Sequence, residues 1–371
     1  MNTNHGCKNN EIFDTLNDFF SKKINKAHIR LICLFITALC KAKTVCFGLL
    51  ANCFDSPAKA ESCLRRIQRF FAKFDLDHDL IARLLYKNLP GTGRRTLAID
   101  RTNWQFGQTD INIFMLAVVH EGVAYPLMFA MLPKRGNSNT QERIDLLQRY
   151  VNLFGADSIE CLLADREFVG DKWIGWLNKN HIRYHIRIKE NFWVDNPRKG
   201  DRAKAHWLFQ GLKVGQRMHL DGIHYIKGQA CYLSAGRVKG RDGFPELQVI
   251  VSFDKPDEAV ETYRKRWQIE TMFRGLKSAG FNIEDTHLTD VNRIGKLLLL
   301  VMIAFVWCYN VGEYVHRNLK EIKVKTHGRK AKSIFRYGLD IVTEFLVRGR
   351  NDHGIPIPAF LSIANPLVVR C

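Results

Sequence analysis

The sequence contains no apolar run long enough to suggest a membrane span and no cysteine pattern typical of a metal site. Its longest uninterrupted apolar stretch, Leu297–Cys308, has twelve residues, whereas a spanning helix needs about 20. The apolar stretch nearest the N-terminus, Leu31–Cys40, begins too late for a signal peptide and has no small-residue cleavage site after it. Among the ten cysteines there is no C-x-x-C pair, and no histidine follows at zinc-finger spacing. We therefore expect a cytoplasmic protein without a membrane partner, whose cysteines are reduced thiols packed in the core.

Acidic residues are scarce relative to basic ones. The chain has 37 Asp and Glu against 56 Lys and Arg, which leaves a formal net charge of +19. An excess of this size favours a polyanionic partner. Since the membrane surface is disfavoured, nucleic acid is the expected partner, and a basic enzyme with an ordinary substrate is the alternative.

The apolar pattern divides the 371-residue chain into helical ends around a mixed α/β centre. Residues 1–92 and 291–371 carry helical patterns, whereas residues 93–290 alternate short apolar strands with helices. Short alternating segments separated by glycines, at about residues 190–253, indicate a β-rich insertion within that centre. The predicted strands are Thr96–Asp100, Asn112–His120, Ala124–Leu132, Ile159–Asp165 and His181–Lys189, with a Glu121-Gly122 hairpin, a helix from Ser138 or Asn139 to Phe154 and another at Trp173–Asn180. This order predicts a three-strand meander followed by parallel crossovers.

In the N-terminal region, Ser56-Pro57 predicts the start of a helix, with serine as the cap and proline in the first turn. The helix would bury Cys63, Ile67 and Phe70 and leave a row of arginines to solvent: Arg65, Arg66 and Arg69. An exposed arginine row of this kind is typical of helices that dock on DNA. A solvated surface helix is an equally good interpretation of the same pattern.

Two predicted strands end in an aspartate after an apolar run. Asp100 follows Leu97-Ala98-Ile99, and Asp165 follows Leu162-Leu163-Ala164. Carboxylates at strand ends lie at the edge of an α/β sheet where ligands and metals bind. Either aspartate alone could be a turn former, but two at matched positions favour a hard divalent cation, which needs several oxygen ligands.

A predicted helix over residues 263–277 aligns four polar side chains. At about 100° per residue, Tyr263, Arg266, Glu270 and Lys277 fall within an arc of roughly 60°. A carboxylate flanked by cations suits a site that cuts phosphodiesters with bound metal. The alternative is a solvated helix on which Glu270 pairs with Arg266.

These residues carry a resemblance. The spacing Tyr263-x2-Arg266-x3-Glu270-x6-Lys277 resembles the YREK signature of DDE insertion-sequence transposases, in the family named after insertion sequence four. Asp165-Arg166-Glu167-Phe168 resembles the second-aspartate box of that family, and Asp100 ends a predicted strand as the first family aspartate does. The resemblance covers about residues 96–277.

The resemblance implies an RNase H-like mixed α/β sheet, with the β-rich insertion preceding the glutamate helix and helical regions on either side. Residues 1–92 would be the DNA-end-binding domain, 93–290 the catalytic domain and 291–371 a region for pairing or dimerisation. It implies a cut-and-paste DNA transposase, an endonuclease that cleaves transposon ends and joins them to target DNA. Asp100, Asp165 and Glu270 would be catalytic and would hold two Mg²⁺ ions, for which Mn²⁺ would substitute.

The same resemblance implies which residues contact DNA. Tyr263, Arg266 and Lys277 would contact phosphates at the transposon end, and Trp267 would stack on a flipped base near the cut. The remaining expected DNA contacts are Arg166, Arg187 and Lys189. Arg166 and Glu167 would also brace the second metal site. Arg187 and Lys189 belong to a basic row on one face of their strand, and they could instead pair within the sheet.

The implied partners are the double-stranded terminal inverted repeats, target DNA and a second copy of the chain in the DNA complex. The implied location is the bacterial cytoplasm, with nucleoid association when DNA is bound. Two other functions stay open from the residues: a different metal nuclease on the same fold, and a DNA-binding regulator without catalysis.

Overall fold

The computed structural model describes residues 4–196, 200–240, 242–326, 328, 330–349, 351 and 354–361. The chain forms two compact units, which we describe separately. The helical unit comprises Met1–Thr92, Trp104–Ile111 and Met272–Cys371, and the sheet unit comprises Gly93–Asn103 and Asn112–Thr271. Parts of the predicted insertion (197–199 and 241) and of the predicted C-terminal region (362–371 among them) lie outside the described residues. The predicted domain bounds at 1–92, 93–290 and 291–371 stay predictions.

The elements in chain order are as follows: α1 (Asn4–Phe20), α2 (Lys26–Ala42), α3 (Phe47–Asn52), α4 (Ala60–Lys73), α5 (His78–Lys87), β1 (Arg95–Phe106), β2 (Thr109–His120), β3 (Val123–Met131), α6 (Thr140–Phe154), β4 (Ile159–Ala164), α7 (Asp171–Lys179), β5 (Tyr184–Ile188), β6 (Trp193–Asn196), β7 (Asp201–Lys204), α8 (Ala205–Leu208), β8 (Arg217–His219), β9 (His224–Ile226), β10 (Gln229–Lys239), β11 (Pro245–Ser252), α9 (Ala259–Arg264), α10 (Gln268–Leu276), α11 (Val291–Asn318) and α12 (Ile334–Arg348). Short 3-10 turns lie at Ala156–Ser158, Arg166–Phe168, Lys265–Trp267, Ile283–Asp285 and Ile357–Leu361.

The helical unit is organised around α11, which packs against α2, α4, α5 and α12. By length and composition α11 is apolar enough to cross a membrane, yet 94% of its most apolar 18-residue window is buried inside the protein. That burial is typical of the core helix of a soluble fold. Its buried Asn310 side chain donates to the backbone carbonyl of Asn88 at 2.9 Å, which satisfies a polar group inside the core.

The helix start predicted at Ser56-Pro57 is wrong, because α4 begins at Ala60. The Ser56 hydroxyl accepts instead from the backbone N–H of Ala58 at 3.3 Å, and so holds a turn. Serine side chains stabilise turns and helix caps by the same kind of hydrogen bond. The predicted apolar face of α4 is confirmed, since Cys63, Ile67 and Phe70 are all buried.

The sheet unit contains one mixed sheet in the strand order β3-β2-β1-β4-β5-β11-β10-β9-β6-β7, with β8 paired to β10. The predicted meander is confirmed: β2 and β3 are antiparallel, and β4 is parallel to both β1 and β5. Glu121 and Gly122 both have positive φ, as a two-residue hairpin turn between twisted strands requires. Asn139 caps α6 in a capping box with Glu142. The α/β, RNase H-like fold class is therefore confirmed.

The glycine-rich segment extends this sheet. Antiparallel pairing of β11 with β5 continues the ladder outward, and β10 then pairs with β11. The described residues of the segment include one helix, the four-residue α8.

Asp100 lies within β1, because this strand continues to Phe106. Its parallel pairing with β4 stops at Ile99, which is opposite Ala164, while β2 continues to border the strand. Asp100 and Asp165 are the next residues along the two strands. The register therefore places both carboxylates at the point where the parallel ladder ends.

A glycine contact between α11 and α12 supplies a test of the helical core. A Cβ atom added at Gly338 would lie 1.7 Å from the carbonyl oxygen of Cys308, so the two backbones leave no room for it. We expect Gly338→Ala to lower the free energy of unfolding by roughly 2 kcal/mol or more, as overpacking does. Denaturant unfolding measures this change.

Gly48→Ala in α3 is the matched control, since nothing lies within 4 Å of the added Cβ. It should be neutral or should stabilise by up to about 1 kcal/mol, because alanine favours helices more than glycine does. Equal stability of the two variants would contradict the proposed close approach.

Candidate active site

Three carboxylates from separate elements meet around the guanidinium group of Arg266. Its Nη1 donates to Asp100 Oδ2 at 2.9 Å, and its Nη2 donates to Glu270 Oε1 at 3.0 Å. The same Nη2 lies 3.8 Å from Asp165 Oδ2. Arg266 is only 5% exposed. The structure therefore brings together Asp100, Asp165 and Glu270, with one buried cation between them.

Burial disfavours the charged form of Arg266, but the acidic groups around it outweigh that effect and raise its pKa above the ordinary value. The guanidinium is thus a permanent positive charge. A buried ion of this kind is tolerated only where its partners compensate its lost hydration.

The two aspartates respond differently to this setting. Burial raises the pKa of Asp100 to about 6, although Arg266 and the backbone N–H of Arg101 act in the opposite direction. Burial also acts on Asp165, but Arg266, the backbone N–H of Arg166, Arg187 and the Tyr263 hydroxyl together lower its pKa. Two carboxylates at matched strand positions therefore differ in how readily they ionise.

Tyr263 is buried on α9 and directed at the site. Its hydroxyl donates to Asp165 Oδ1 at 3.1 Å, and its ring packs with Ile250, Ala259 and Val260. Burial raises the pKa of the phenol, which stays protonated and able to donate. The tyrosine thus fixes the orientation of one aspartate.

The single helix predicted over residues 263–277 is wrong. A 3-10 turn at Lys265–Trp267 interrupts it, because the N–H of Gln268 bonds to the Lys265 carbonyl, three residues back. The second helical segment, α10, ends at Leu276. Lys277 belongs to the helical unit, where its ammonium group lies 2.6 Å from Glu284 and 5.6 Å from the Trp104 ring centre.

Arg101 is a residue of the site that the sequence reasoning missed. Its Nε and Nη2 donate to the two oxygens of Glu167 at 2.8 and 3.0 Å. Its remaining hydrogen bonds hold Asn112 Oδ1, the Gly136 carbonyl and Asn137 Oδ1, at 2.7 to 3.1 Å. An arginine directly after Asp100 and an acid two residues after Asp165 were the available signal.

Arg143 extends this support from α6. Buried beneath the same loop, it donates to the Ser138 hydroxyl at 3.0 Å and to the Glu167 carbonyl at 3.0 Å. Glu167 is therefore held through both its side chain and its backbone. The segment that follows Asp165 is rigidly placed as a result.

A cleft of about 950 Å³ opens beside the carboxylates and is lined by Asp165, Arg166, Arg187, Arg266, Trp267 and Glu270. Trp267 is 46% exposed, although it neighbours the buried Arg266 in sequence. Phe244, at 71% exposure, also lines the cleft and was not predicted.

Two of the predicted DNA contacts lie around this cleft. Arg187 pairs with Glu246 on the neighbouring strand, which is the pairing within the sheet that the sequence left open. Lys189 lines a neighbouring cavity of about 580 Å³ together with Asn137 and Arg166.

The donor set matches a hard divalent cation in chemistry. Anionic oxygens converge on one positive centre, and such oxygens are the ligands that Mg²⁺ prefers. As the described side chains are placed, no three His, Cys, Asp or Glu residues form a ready-made metal cluster. The charge that a metal would supply is carried here by Arg266.

Comparison with known families identifies the domain. The model of the family described as "Transposase DDE domain" matches residues 91–307, which is more than half of the chain. No curated protein matches the sequence.

The raised pKa of Asp100 leads to a test of stability. Since its folded-state value of about 6 lies above the ordinary 3.8, ionisation opposes folding, and stability is lost as the pH rises through that interval. We expect Asp100→Asn to raise the free energy of unfolding of EDTA-treated protein at pH 7.5 by roughly 2 kcal/mol. The gain should shrink as the pH falls towards 4.

Denaturant unfolding across this pH range measures the effect. Asp157→Asn, at an exposed carboxylate before β4, is the control and should change little. A loss of stability in Asp100→Asn at pH 7.5 would show that the ion pair with Arg266 outweighs the cost of burial.

Proposed function

Because the chain belongs to the transposase DDE-domain family and so acts on DNA, we propose that it is a cut-and-paste transposase that cleaves at transposon ends and joins them to target DNA. The observation that carries this proposal is the convergence of Asp100, Asp165 and Glu270 on one buried positive charge. DNA binding without catalysis does not require three acids gathered around one cation in a basic protein.

Members of this family generally use divalent metal ions, and we propose that Asp100, Asp165 and Glu270 hold two Mg²⁺ ions, or Mn²⁺ in their place. When bound, such ions activate the attacking water or 3′-hydroxyl and stabilise the leaving oxygen. The chain itself supplies the orientation. Tyr263 aligns Asp165, and the network of Arg101 and Glu167 holds the backbone that follows each aspartate.

The cleft suits a DNA strand beside these carboxylates. Trp267 presents an exposed aromatic face, and base stacking on such a face is worth about 1–3 kcal/mol. Arg166, Arg187 and Lys189 lie around this cleft and the neighbouring cavity, where they would contact phosphates. Arg266 would reach a phosphate only after leaving its carboxylate partners.

We propose further that residues 1–92 recognise the terminal inverted repeats and that residues 291–371 support pairing of two copies on DNA. Lys277 would contact a phosphate at the transposon end, in exchange for its present pair with Glu284. Such a protein would work in the bacterial cytoplasm, bound to the nucleoid DNA.

Replacing each carboxylate by its amide tests the catalytic assignment. We expect Asp100→Asn, Asp165→Asn and Glu270→Gln each to reduce Mg²⁺-dependent cleavage of a transposon-end duplex by at least about 10³-fold, a typical loss when a transition-state contact is removed. DNA binding should persist. Cleavage is followed on gels and binding by fluorescence anisotropy.

Asp157→Asn, a carboxylate away from the cleft, should cleave as the natural protein does. Cleavage that survives Glu270→Gln would exclude Glu270 from the reaction. A joining assay with target DNA separates transposition from simple endonuclease activity.

The central cation gives a second test. Arg266→Gln leaves three carboxylates without their shared partner, and breaking a buried ion pair costs about 3–5 kcal/mol. We expect its melting temperature in EDTA to fall below that of the natural protein. Added Mn²⁺ should raise the melting temperature more in the variant, because the ion supplies the missing positive charge.

Arg183→Gln is the matched control in the same unit. Arg183 also pairs with two carboxylates, Glu160 at 2.7 Å and Asp254 at 2.9 Å, but both pairs are away from the cleft. Its response to Mn²⁺ should equal that of the natural protein. An equal Mn²⁺ response in Arg266→Gln would argue against a metal site at these carboxylates.

A further inference from the structure

An open groove of about 920 Å³ crosses the helical unit between α3, α4 and the segment at 286–293. Arg65 and Arg69 line it from α4, and Arg293 lines it from the first turn of α11. His287 adds an imidazole to this lining. The groove is therefore built from two stretches of sequence more than 200 residues apart.

All charged residues among those that line the groove are arginines. Arg65, Arg69 and Arg293 are exposed, and within the described part of the chain none of them forms an ion pair with a carboxylate. Lys296, one turn further along α11 than Arg293, donates to the backbone carbonyl of Phe71 at 3.2 Å. The positive charge around this groove is thus available to an anion from outside.

The floor between the arginines is apolar. Phe47 and Phe71 lie against each other with ring centres 4.7 Å apart, and Leu64 and Val45 continue the same surface. Such a floor suits the sugar face of a nucleotide chain better than a small hydrated ion. Arg65 and Arg69 are one helical turn apart, about 6 Å along the axis, so that they can contact neighbouring phosphates of one strand.

We infer that this groove binds the sugar–phosphate backbone of duplex DNA. The choice of DNA rests on the proposed function, whereas the anionic character of the ligand follows from the groove itself. The structure also divides the arginine row seen in the sequence: Arg65 and Arg69 line the groove, and Arg66 does not. Arg293 and His287, which lie more than 200 residues further along the chain, complete the lining.

Salt-dependent binding tests the inference. Fluorescence anisotropy with a labelled duplex of random sequence gives the slope of log K against log salt concentration, which is about −0.9 for each phosphate neutralised. Substituting Arg65, Arg69 and Arg293 by Gln should reduce the size of that slope by about 0.9 each, and by about 2.7 together. Unchanged melting temperatures would show that the variants are folded.

Arg66→Gln is the matched control, with the same charge removed from the same helix. It should leave the slope within about 0.3 of the natural value, because Arg66 is half-buried and does not line the groove, so that it neutralises no phosphate there. A slope change in Arg66→Gln equal to that in Arg65→Gln would overturn the groove and leave only a general charge effect.

Two further DNA probes complete the design: a duplex with the sequence of the transposon end, and a single strand of equal length. Phosphate contacts carry no sequence information, so that the triple variant should lose affinity by the same factor on both duplexes. Loss confined to the end duplex, or to the single strand, would overturn the assignment to the duplex backbone.

The measurements are repeated in an Asp165→Asn background, which separates this inference from the proposed function. If the slope changes there as well, the groove acts independently of cleavage. If the natural protein fails to cleave but the slopes change as expected, the proposed function fails and the groove stands. Cleavage with unchanged slopes would reject the groove alone.

Discussion

The contact between one guanidinium group and three carboxylates is the constraint on which the site depends. Mutual repulsion would drive Asp100, Asp165 and Glu270 apart without a cation, and Arg266 supplies it at 2.9 to 3.8 Å. Each acid comes from a different element, so the parallel register of β1 with β4 and the 3-10 turn before α10 must both be correct for the contact to form. The charges thus connect the end of the parallel ladder to the helix that carries Glu270.

This arrangement lowers the free energy of unfolding at neutral pH, because Asp100 is ionised in a largely buried position. Its pKa rises to about 6 because burial removes more hydration than Arg266 and its backbone hydrogen bond restore. Stability is given up where charge is concentrated, as is common at functional sites. The hydrogen bonds of Arg101 and Arg143 to Glu167 fix the segment that follows Asp165 and connect it to β1, the strand that carries Asp100.

Much of this could be predicted from the sequence, for reasons that are local. Asp165 follows a short apolar run, and the order of strands and helices predicts the mixed sheet, which the resemblance to DDE transposases identifies as RNase H-like. Residues that act through distant partners could not be found in this way. The helical periodicity predicts that Arg266 and Glu270 share a face. It does not predict that two aspartates from the sheet lie opposite that face. The partners of Arg101 come from the 3-10 turn at Arg166–Phe168, from β2 and from the loop after β3, and no periodicity in the sequence predicts this convergence.

The spacing of Tyr263, Arg266 and Glu270 along the chain is itself explained by these internal contacts. Arg266 and Glu270 are four residues apart, which allows their direct hydrogen bond, and Tyr263 precedes Arg266 by one turn and reaches Asp165. Moving any of the three by one residue would turn it away from its partner by about 100°. Trp267, which follows Arg266 directly in the sequence, is half exposed in the cleft. Tyr263 and Arg266 therefore hold the acids in place, while the neighbouring aromatic ring of Trp267 lines the cleft.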